Sequence, residues 1–431
     1  MMRCWKSWQK RGAIMSRDKA DRLRVCLLSY RSHPHCGGQG VYIYNLSRAL
    51  KDLGHHVEVV SGLPIPQLDK DIKLFQLPGL DLYNPDDLFR MPSLKEFSDP
   101  INLMEWLGVS TMGFPEPFTF GLRAYRFLRK RRHKYDIVHD NQSLSYSIKS
   151  IKEFIPTIAT IHHPITVDRD LAVRTVSSFW QKMKQMRWYS FIGMQKRVAR
   201  TLSHIITVSQ AAKNDISKNF GIPQERFKVI MNGINTDLFY PVSEIRREKG
   251  RIIVTSSSDT PIKGLRYLLE AVAEISKTLD VRLVIVGTVK KNGDIEKLIK
   301  NLGIKERIAF TGRIDNEAFV QQYARASLAI VPSVYEGFGF PAGEAMACGL
   351  PVVSTTGGAL PEVVGDAGVL VPPANSRELV NAITQLLENP EQAEKMGRAG
   401  FNRVHHRFSW KKAAEMTAAA YRETIRDYHR F

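Results

Sequence analysis

Short runs of β-branched and other apolar residues alternate with amphipathic segments along almost the whole chain. This alternation is typical of helices that cover a mostly parallel β-sheet, so it predicts an α/β fold. The helical pattern is clearest over residues 263–277, where apolar side chains recur on one face. The predicted strands cover residues 23–28, 56–60, 72–77, 136–139, 157–161, 205–208 and 227–231 in the first half, and 252–256, 281–286, 308–310, 328–331, 351–354 and 369–371 in the second.

The chain has 431 residues, which exceeds an ordinary single domain and predicts two domains with separate cores. Each half carries its own strands and helices, so we predict two successive doubly wound, Rossmann-like sheets. The periodicity breaks over residues 240–250, where Pro241, a charged run and Gly250 occur. We therefore place the domains at residues 21–240 and 241–410. Ligands of such sheets bind beyond the carboxyl ends of the strands, which predicts a cleft between two facing domains.

The composition indicates a globular protein of a reducing compartment. Apolar residues make up 43% of the chain and charged residues 24%. The cysteines, Cys4, Cys26, Cys36 and Cys348, show no spacing suited to a zinc site or a disulfide framework. No window approaches the roughly 18 to 20 apolar residues that span a bilayer. We therefore expect a cytoplasmic protein.

The charge of the chain is strongly basic and lies mainly in its first half. The net charge is +19, of which residues 1–250 carry +16 and residues 251–431 carry +3. Residues 1–20 lack the apolar core of a secretory signal and are expected to be a disordered basic tail, unless translation begins at Met15. A field of this sign favours encounter with nucleic acid, anionic lipid or phosphorylated acceptors. The basic run at residues 123–134 is either a lipid-binding surface or the solvated face of a helix with Tyr125 and Leu128 inward.

Two basic or glycine-rich features suit a bound polyanion. Gly37 and Gly38 follow the first strand and open a helix, where backbone N–H groups can approach a phosphate; a plain tight turn is the alternative. Lys263 precedes Gly264 at the predicted start of a helix, a position that disfavours a cation unless an anion lies nearby. A solvated lysine before a glycine hinge is the alternative for Lys263.

Residues 332–349 form a glycine-rich segment that links a buried strand to a helix of small residues. Two carboxylates flank this loop, eight positions apart, at Glu336 and Glu344. Glu336 can accept hydrogen bonds from sugar hydroxyls, and Glu344 can bind a ribose diol. An acid–base pair is the rival interpretation. The sequence gives neither carboxyl a reason for a raised pKa, which speaks against that rival.

A histidine ends the predicted fifth strand of the first half, at His162 of the segment 160–164. At a strand end that faces a cleft, its ring can donate a hydrogen bond to a sugar hydroxyl or to a developing charge. The neighbouring His163 does not suggest a metal site, because adjacent strand residues point to opposite faces.

These segments together resemble family 4 of the retaining glycosyltransferases with the GT-B fold. The most specific likeness is the E-x7-E motif formed by Glu336 and Glu344. Further landmarks are Gly37-Gly38, His162, Val208-Ser209, Asn232-Gly233, Lys263-Gly264 and the closing segment 407–410. The resemblance implies a last helix, residues 411–431, that crosses back to the first domain.

The resemblance also implies roles for single residues. Gly37 and Gly38 would approach the donor diphosphate, and Lys263 would neutralise it. Glu336 and the amides of the loop that follows it would hold the transferred sugar, Glu344 the nucleotide ribose, and His162 would steady the sugar from the opposite wall. The amides of that loop belong to Gly337, Phe338 and Gly339. Donors would be UDP-linked, or in some relatives GDP- or ADP-linked, and acceptors would be sugars, lipid-linked sugars or glycans.

One position departs from the family pattern. Relatives commonly carry an arginine five residues before the lysine, and this chain has Ser258 there. Either Lys263 and helix dipoles suffice, or another cation such as Arg266 or Arg313 replaces it, or the protein is a catalytically weakened binding protein.

The chemistry expected of such a site is transfer with retention at the anomeric carbon, without a metal or cofactor. Negative charge grows on the departing diphosphate, and a lysine with amide dipoles in a closed cleft stabilises it. A front-side attack, in which the leaving phosphate accepts the acceptor's proton, is the hypothesis taken from the family. One rival is a Rossmann-type dehydrogenase, but this chain lacks the acidic residue after the second strand that would hold the adenosine ribose of its cofactor. The other rival is a non-enzymatic binder of nucleic acid or membranes. We expect no nucleic-acid partner and allow contact with the inner face of an anionic membrane.

Overall fold

The computed structural model describes residues 22–32, 38–84, 87, 90–256 and 260–430. Its strands form two parallel sheets, and each predicted strand occurs within two residues of its predicted bounds. The first sheet contains β1 (Arg24–Ser29), β2 (His56–Ser61), β3 (Lys73–Gln76), β4 (Ile137–Asn141), β5 (Thr157–Ile161), β6 (Ile205–Thr207) and β7 (Phe227–Val229). The second contains β8 (Arg251–Thr255), β9 (Arg282–Val286), β10 (Ile308–Phe310), β11 (Leu328–Val331), β12 (Val352–Thr355) and β13 (Val369–Val371).

Helices connect these strands and cover the sheets. In the first half they are α1 (Gly38–Asp52), α2 (Leu94–Phe97), α3 (Pro100–Ser110), α4 (Glu116–Arg129), α5 (Tyr146–Ile151), α6 (Thr166–Arg174), α7 (Phe179–Trp188), α8 (Ile192–Ala199) and α9 (Gln210–Phe220). In the second half they are α10 (Leu265–Ile275), α11 (Asp294–Leu302), α12 (Asn316–Arg325), α13 (Phe340–Ala347), α14 (Leu360–Val364), α15 (Ser376–Glu388), α16 (Pro390–Arg407) and α17 (Trp410–Tyr428).

Each sheet is buried on both faces, which is why its strands read as nearly continuous apolar runs. Along β1, Cys26 and Leu28 belong to the core on one face, while Val25 and Leu27 belong to the core on the other. The second sheet has the same two-sided arrangement, since Ile253 and Ile252 of β8 lie in different cores. The alternation follows from the two-residue period of a strand.

The last helix, α17, packs on the first sheet although it follows the second in sequence. Its Ala414, Ala418 and Tyr421 lie in the same core as the strand residues Val25 and Leu27. The small alanine side chains allow close approach, and the Tyr421 hydroxyl lies 2.6 Å from Nδ1 of His139 on β4. The crossing helix that the family resemblance implied is therefore confirmed, as is the α/β fold of two Rossmann-like sheets. The domain limits at residues 240 and 410 stay a prediction.

The strand orders place the switch points of the two sheets. The first sheet runs β3-β2-β1-β4-β5-β6-β7 and the second β10-β9-β8-β11-β12-β13. Each order reverses at its first strand, so a crevice opens beyond the carboxyl ends of β1 and β4 in one sheet and of β8 and β11 in the other. Gly38 follows β1, Lys263 follows β8 and Glu336 follows β11, whereas His162 follows β5, the neighbour of β4.

Candidate functional site

Lys263 and Glu336 lie in direct contact, although 73 positions separate them in sequence. Nζ of Lys263 is 2.7 Å from Oε1 of Glu336, and the hydroxyl of Ser333 donates to the same oxygen over 2.8 Å. The lysine side chain is 30% exposed and the carboxylate 11%, so the pair lies at the wall of the cleft. The structure therefore brings together the two residues expected to bind diphosphate and sugar.

Lys263 lies just before a helix and not on it, which corrects the expected helix start. Pro261–Lys263 form a single 3-10 turn, and Gly264, with φ of +65°, is the N-cap of α10. A Cβ on Gly264 would overlap the carbonyl oxygen of Pro332, so only glycine allows this turn to pack on the loop after β11. The backbone N–H of Val334 completes the contact by donating to the carbonyl of Ile262 over 2.8 Å.

The loop that carries Glu336 is supported by two glycines that the sequence analysis did not single out. Gly357 and Gly358 follow β12, and a Cβ on either would overlap a carbonyl oxygen of the loop, that of Val334 or of Glu336. The N–H of Ala359 donates to the Glu336 carbonyl over 2.9 Å. The Gly-Gly pair after a buried strand was the available sequence signal for this support.

His162 stands on the opposite wall, as expected, directly against the Glu336 loop. A Cβ on Gly337 would overlap the His162 carbonyl oxygen and lie 3.1 Å from Cβ of His163. The His162 ring packs on the edge of Tyr42, with ring centroids 4.8 Å apart. Desolvation, helped by nearby His163 and His139, lowers the pKa of His162 to about 3, so the ring is neutral at neutral pH.

Gly38 faces the start of α13. A Cβ on Gly38 would lie 3.4 Å from Cε2 of Phe340, the first residue of that helix. Gly339 caps this helix with φ of +107°. Phe338 is buried against Phe408, in the core that also contains Ile253 of β8. Gly37 lies outside the described residues, so the structure gives a position for Gly38 only.

The first turn of α9 joins the two domains at the same cleft. Ser209 donates to the Gly337 carbonyl over 2.8 Å and caps α9 through the N–H of Ala212. The carboxylate of Glu362 accepts from the N–H groups of Gln210 and Ala211 over 2.8 and 2.7 Å. In the sequence, Ser209 stands out only as a family landmark. Nothing in the sequence indicates Glu362, because a contact across about 150 positions leaves no local pattern.

His163 belongs to the site as well, which the sequence analysis did not predict. Its Nε2 lies 2.8 Å from Oδ2 of Asp168 at the start of α6. Burial would lower the pKa of His163, but the charge and hydrogen bond of Asp168 outweigh it, and the resulting pKa is raised. The ring centroid is 6.3 Å from that of Tyr335. The spacing of His163 and Asp168 across a helix start was the signal that could have indicated this pair.

Glu344 is buried within α13, eight residues beyond Glu336 in sequence. Desolvation raises the pKa of its carboxyl from the ordinary 4.5 to about 8. The expectation that neither carboxyl has a reason for a raised pKa was therefore wrong for Glu344, because burial is a tertiary property. A protonated carboxyl can donate a hydrogen bond to a ribose diol as well as accept one from it.

We expect the substitution Glu344→Gln to remove a pH dependence of stability. Between pH 4.5 and about 8 the folded carboxyl keeps a proton that the unfolded chain releases. The free energy of unfolding of the wild type therefore falls as the pH rises through this window, and that of Glu344→Gln does not share this fall. Melting temperatures of both proteins from pH 5 to 8.5 measure the difference. The exposed Glu388→Gln should follow the wild type, and parallel curves for Glu344→Gln would contradict the buried proton.

The replacement for the missing family arginine stays open. Ser258 lies outside the described residues. Arg266 is 70% exposed and pairs with Glu270 on its own helix over 3.0 Å, and Arg313 is exposed. The role of either guanidinium beside Lys263 remains a prediction.

Part of the basic run at residues 123–134 is engaged within the first domain. Arg123 is buried and contacts the Glu105 carboxylate, and Arg126 pairs with Asp99 over 3.0 Å. Lys134 lies 2.9 Å from Glu58. Leu128 is fully buried as expected, whereas an inward Arg123 was not. This favours the helix-face interpretation over a dedicated lipid-binding run.

Two further features lie away from the cleft. Within the described ranges, the one histidine–carboxylate group close enough to share a metal ion is His204, Glu423 and Asp427 near the crossing helix, and Glu423 pairs there with Lys228. A cavity of about 530 Å³ lies between α1, residues 234–237 and the start of α17.

Among the residues described, no helix combines the length and apolarity needed to cross a membrane.

Comparison with known proteins now adds to this geometry. The model of Glycosyltransferase Family 4 matches residues 36–238, and that of Glycosyl transferases group 1 matches residues 239–403. The MMP alpha-(1->4)-mannosyltransferase of Mycolicibacterium hassiacum is 45% identical over 408 residues, which cover 94% of this chain and 98% of that protein. The chain belongs to glycosyltransferase family 4. It is a glycosyltransferase, and the resemblance drawn from its motifs is confirmed.

More distant relatives share the fold of this glycosyltransferase. The N-acetyl-alpha-D-glucosaminyl L-malate synthase of Bacillus anthracis is 24% identical, over 94% of this chain and 98% of the relative. The sucrose-phosphate synthase of Thermosynechococcus elongatus has a TM-score of 0.73 at 24% identity, over 94% and 100% of the two chains. Anabaena HepE in complex with UDP and glucose has a TM-score of 0.67 at 19% identity, over 93% and 100%. At these identities the likeness concerns the GT-B architecture alone.

Proposed function

We propose that this glycosyltransferase moves a mannosyl residue from a nucleotide-mannose donor to the 4-hydroxyl of an acceptor sugar, with retention and without a metal. The support is the 45% identity, over nearly the full length of both chains, to a protein named for MMP alpha-(1->4)-mannosyl transfer. The acceptor would then be a glycan, which narrows the sugar, lipid-linked or glycan classes expected from the sequence.

The contact of Lys263 with Glu336 is the structural observation that supports a nucleotide-sugar donor in this proposal. A cation suited to a diphosphate and a carboxylate suited to sugar hydroxyls lie 2.7 Å apart. In a nucleotide-sugar the sugar and the diphosphate share one bond, so their binding groups have to be neighbours. A dinucleotide cofactor would not require a sugar-binding carboxylate at this distance from the lysine.

The remaining residues of the cleft fit the other parts of such a donor. Gly37 and Gly38 would approach the diphosphate from the first domain, and the amides of Gly337, Phe338 and Gly339 would hold the sugar with Glu336. Glu344 would bind the ribose diol. His162 would contact the sugar from the wall that Gly337 touches.

The chemistry follows from charge. As the glycosidic bond breaks, the electron pair stays on the phosphate oxygen, and Lys263 stabilises that growing negative charge more than it stabilises the intact donor. The acceptor oxygen attacks from the same face, and its proton passes to the departing phosphate. The products are the extended glycan and the nucleoside diphosphate. No protein nucleophile is required, so an isolated sugar adduct on any side chain would contradict this route.

A donor panel tests the proposal. Purified protein is incubated with mannose and glucose donors, each linked to UDP and to GDP, and an α-linked mannose oligosaccharide, with and without a chelator. We expect transfer from a mannose donor, an α-(1→4) product by NMR, and no effect of the chelator. UDP is the nucleotide expected first from the family resemblance, and the panel separates UDP-linked from GDP-linked donors. Transfer of glucose alone, a β-linked product, or loss of activity with chelator would each contradict part of the proposal.

Binding of a donor without turnover would instead support the catalytically weakened protein that Ser258 raised as an alternative. Thermal stabilisation by each donor measures binding independently of turnover.

We propose in addition that the first domain contacts an anionic membrane surface through α7. This helix exposes Phe179, Trp180, Met183 and Met186, whose exposed fractions run from 49% to 79%. It carries Lys182, Lys184 and Arg187 and no acidic residue, a composition that suits anionic lipid. The cytoplasmic location at the inner face of a membrane remains part of this proposal.

Sedimentation with vesicles tests the membrane contact. We expect binding to vesicles that contain anionic lipid, loss of that binding at high salt, and little binding to neutral vesicles. Trp180→Ser with Met183→Ser should weaken it, whereas Arg129→Gln with Lys130→Gln in the basic run should not. Concentration-dependent dimerisation that the same double substitution abolishes would show that a second copy covers this helix, which would overturn the membrane proposal.

A further inference from the structure

The loop after β4 adopts an unusual backbone beside the candidate site. Gln142 and Leu144 have φ of +57° and +46°, a left-handed region that disfavours residues other than glycine. The buried carboxylate of Asp140 holds the loop by accepting from the Ser143 hydroxyl over 2.5 Å and from the N–H of Leu144 over 2.8 Å. Gln195 donates to the carbonyl of Gln142 over 3.0 Å. Several contacts therefore maintain a costly conformation that serves no strand or helix.

This loop holds the end of β5 by its side chains. The amide oxygen of Gln142 accepts from the N–H of His162 over 2.7 Å, and its amide nitrogen donates to the His163 carbonyl over 3.1 Å. Oδ1 of Asn141 lies 2.7 Å from Nε2 of the His162 ring. The amide nitrogen of Asn141 in turn donates to the Ser29 hydroxyl over 3.3 Å, and Oδ1 is the end of the amide that lies against the ring.

The contact with Asn141 determines the protonation pattern of the His162 ring. An amide oxygen only accepts hydrogen bonds, so Nε2 carries the proton, and Nδ1 of the neutral ring is left as an acceptor. We propose that Asn141 and Gln142 are positioning residues that present Nδ1 of His162 as an acceptor for a hydroxyl of the transferred sugar. This deepens the proposed function and rests on it, and it replaces the earlier expectation that His162 donates.

The surroundings of the ring leave it neutral. The groups that act on it are Tyr42 on α1, His139 on β4 and His163 beside it. His163 is in turn influenced by Asp168 on α6 and by Glu336 and Lys263 across the cleft. Burial lowers the pKa of His139 to about 3, so this histidine is neutral at neutral pH and places no charge beside the His162 ring. Asn141 is the group in direct hydrogen bond with the ring nitrogen.

The substitution Asn141→Asp tests the inference through a pH profile. It keeps the size and the acceptor oxygen but adds a negative charge beside Nε2, which favours the doubly protonated ring. That ring has no acceptor, so kcat/KM of Asn141→Asp for the donor, divided by the wild-type value at the same pH, should fall about tenfold between pH 8.5 and pH 6. The ratio cancels the titration of Glu344 and His163, which both proteins share. Asn45→Asp, a nearly buried asparagine on α1, is the matched control and should keep the wild-type profile. Parallel profiles of Asn141→Asp and the wild type would overturn the inference.

A second measurement does not depend on turnover. In protein labelled with 15N-histidine, the His162 resonances, identified by their loss in His162→Gln, should show a proton on Nε2 at pH 7. Asn141→Asp, if folded, should shift them toward the doubly protonated form. A proton on Nδ1 in the wild type would overturn the inference even if mannosyl transfer is found. The expected pattern in a protein that fails the donor panel would separate the failure of the proposed function from that of the positioning role.

Discussion

Lys263→Ala and Glu336→Gln each reduce sugar transfer at least about a hundredfold while the protein stays folded. The lysine contacts the carboxylate that is proposed to bind the sugar, and it is itself proposed to face the charge that grows on the leaving diphosphate. Removal of one such preorganised group costs roughly two to three orders of magnitude in rate. Product formation under saturating donor measures the loss, and circular dichroism with a melting curve checks the fold.

The ion pair of Lys277 and Glu274 provides the matched control. It has the same residue types on the exposed surface, with side chains 66% and 59% exposed. Lys277→Ala and Glu274→Gln should leave the rate unchanged, because exposed pairs contribute little. Near-normal rates for Lys263→Ala and Glu336→Gln would overturn the assignment of the site.

Gly337→Ala also removes most of the activity, through geometry and not through charge. The added methyl group would occupy the position of the His162 carbonyl oxygen and crowd Cβ of His163 at 3.1 Å. The Glu336 loop would then have to withdraw from the opposite wall, and a displacement of about 1 Å can cost on the order of a hundredfold in rate. Steady-state kinetics measure the loss.

Gly193→Ala is the control for this substitution. It lies within α8, and a Cβ there meets no atom within 4 Å. Both variants should melt close to the wild type, since neither disturbs a core. Wild-type rates for Gly337→Ala would mean that the close approach of the two walls is not required for turnover.

Most of the fold could be predicted from the sequence because the sheets are parallel and buried on both faces. A strand such as β11, Leu328–Val331, is then a continuous apolar run that is bounded by polar turns. The Glu336 to Glu344 spacing likewise survives in sequence, since both carboxylates serve one loop and the helix that follows it.

What the sequence did not reveal depends on contacts between distant segments. Glu362 and the first turn of α9 are about 150 positions apart. Asn141 and Gln142 meet His162 where β4 and β5 end side by side, and the left-handed residues of the loop after β4 are not glycines. The predicted helix start at Lys263 was misplaced, because the conformation of Gly264 is set by its close packing on the carbonyl of Pro332 and not by the helical pattern. The pKa of Glu344 depends on burial, which no local pattern encodes.

The carboxylate of Glu362 completes the first turn of α9 from the other domain, and this has a consequence for the catalytic cycle. The two N–H groups that it accepts from would bind water equally well if the domains parted. Hydrogen bonds to a charged group contribute roughly 1.5 to 3 kcal/mol each, so this contact alone adds only a modest cost to separating the halves. A contact of this kind suits an enzyme that has to release a spent nucleotide and admit a fresh donor on each round.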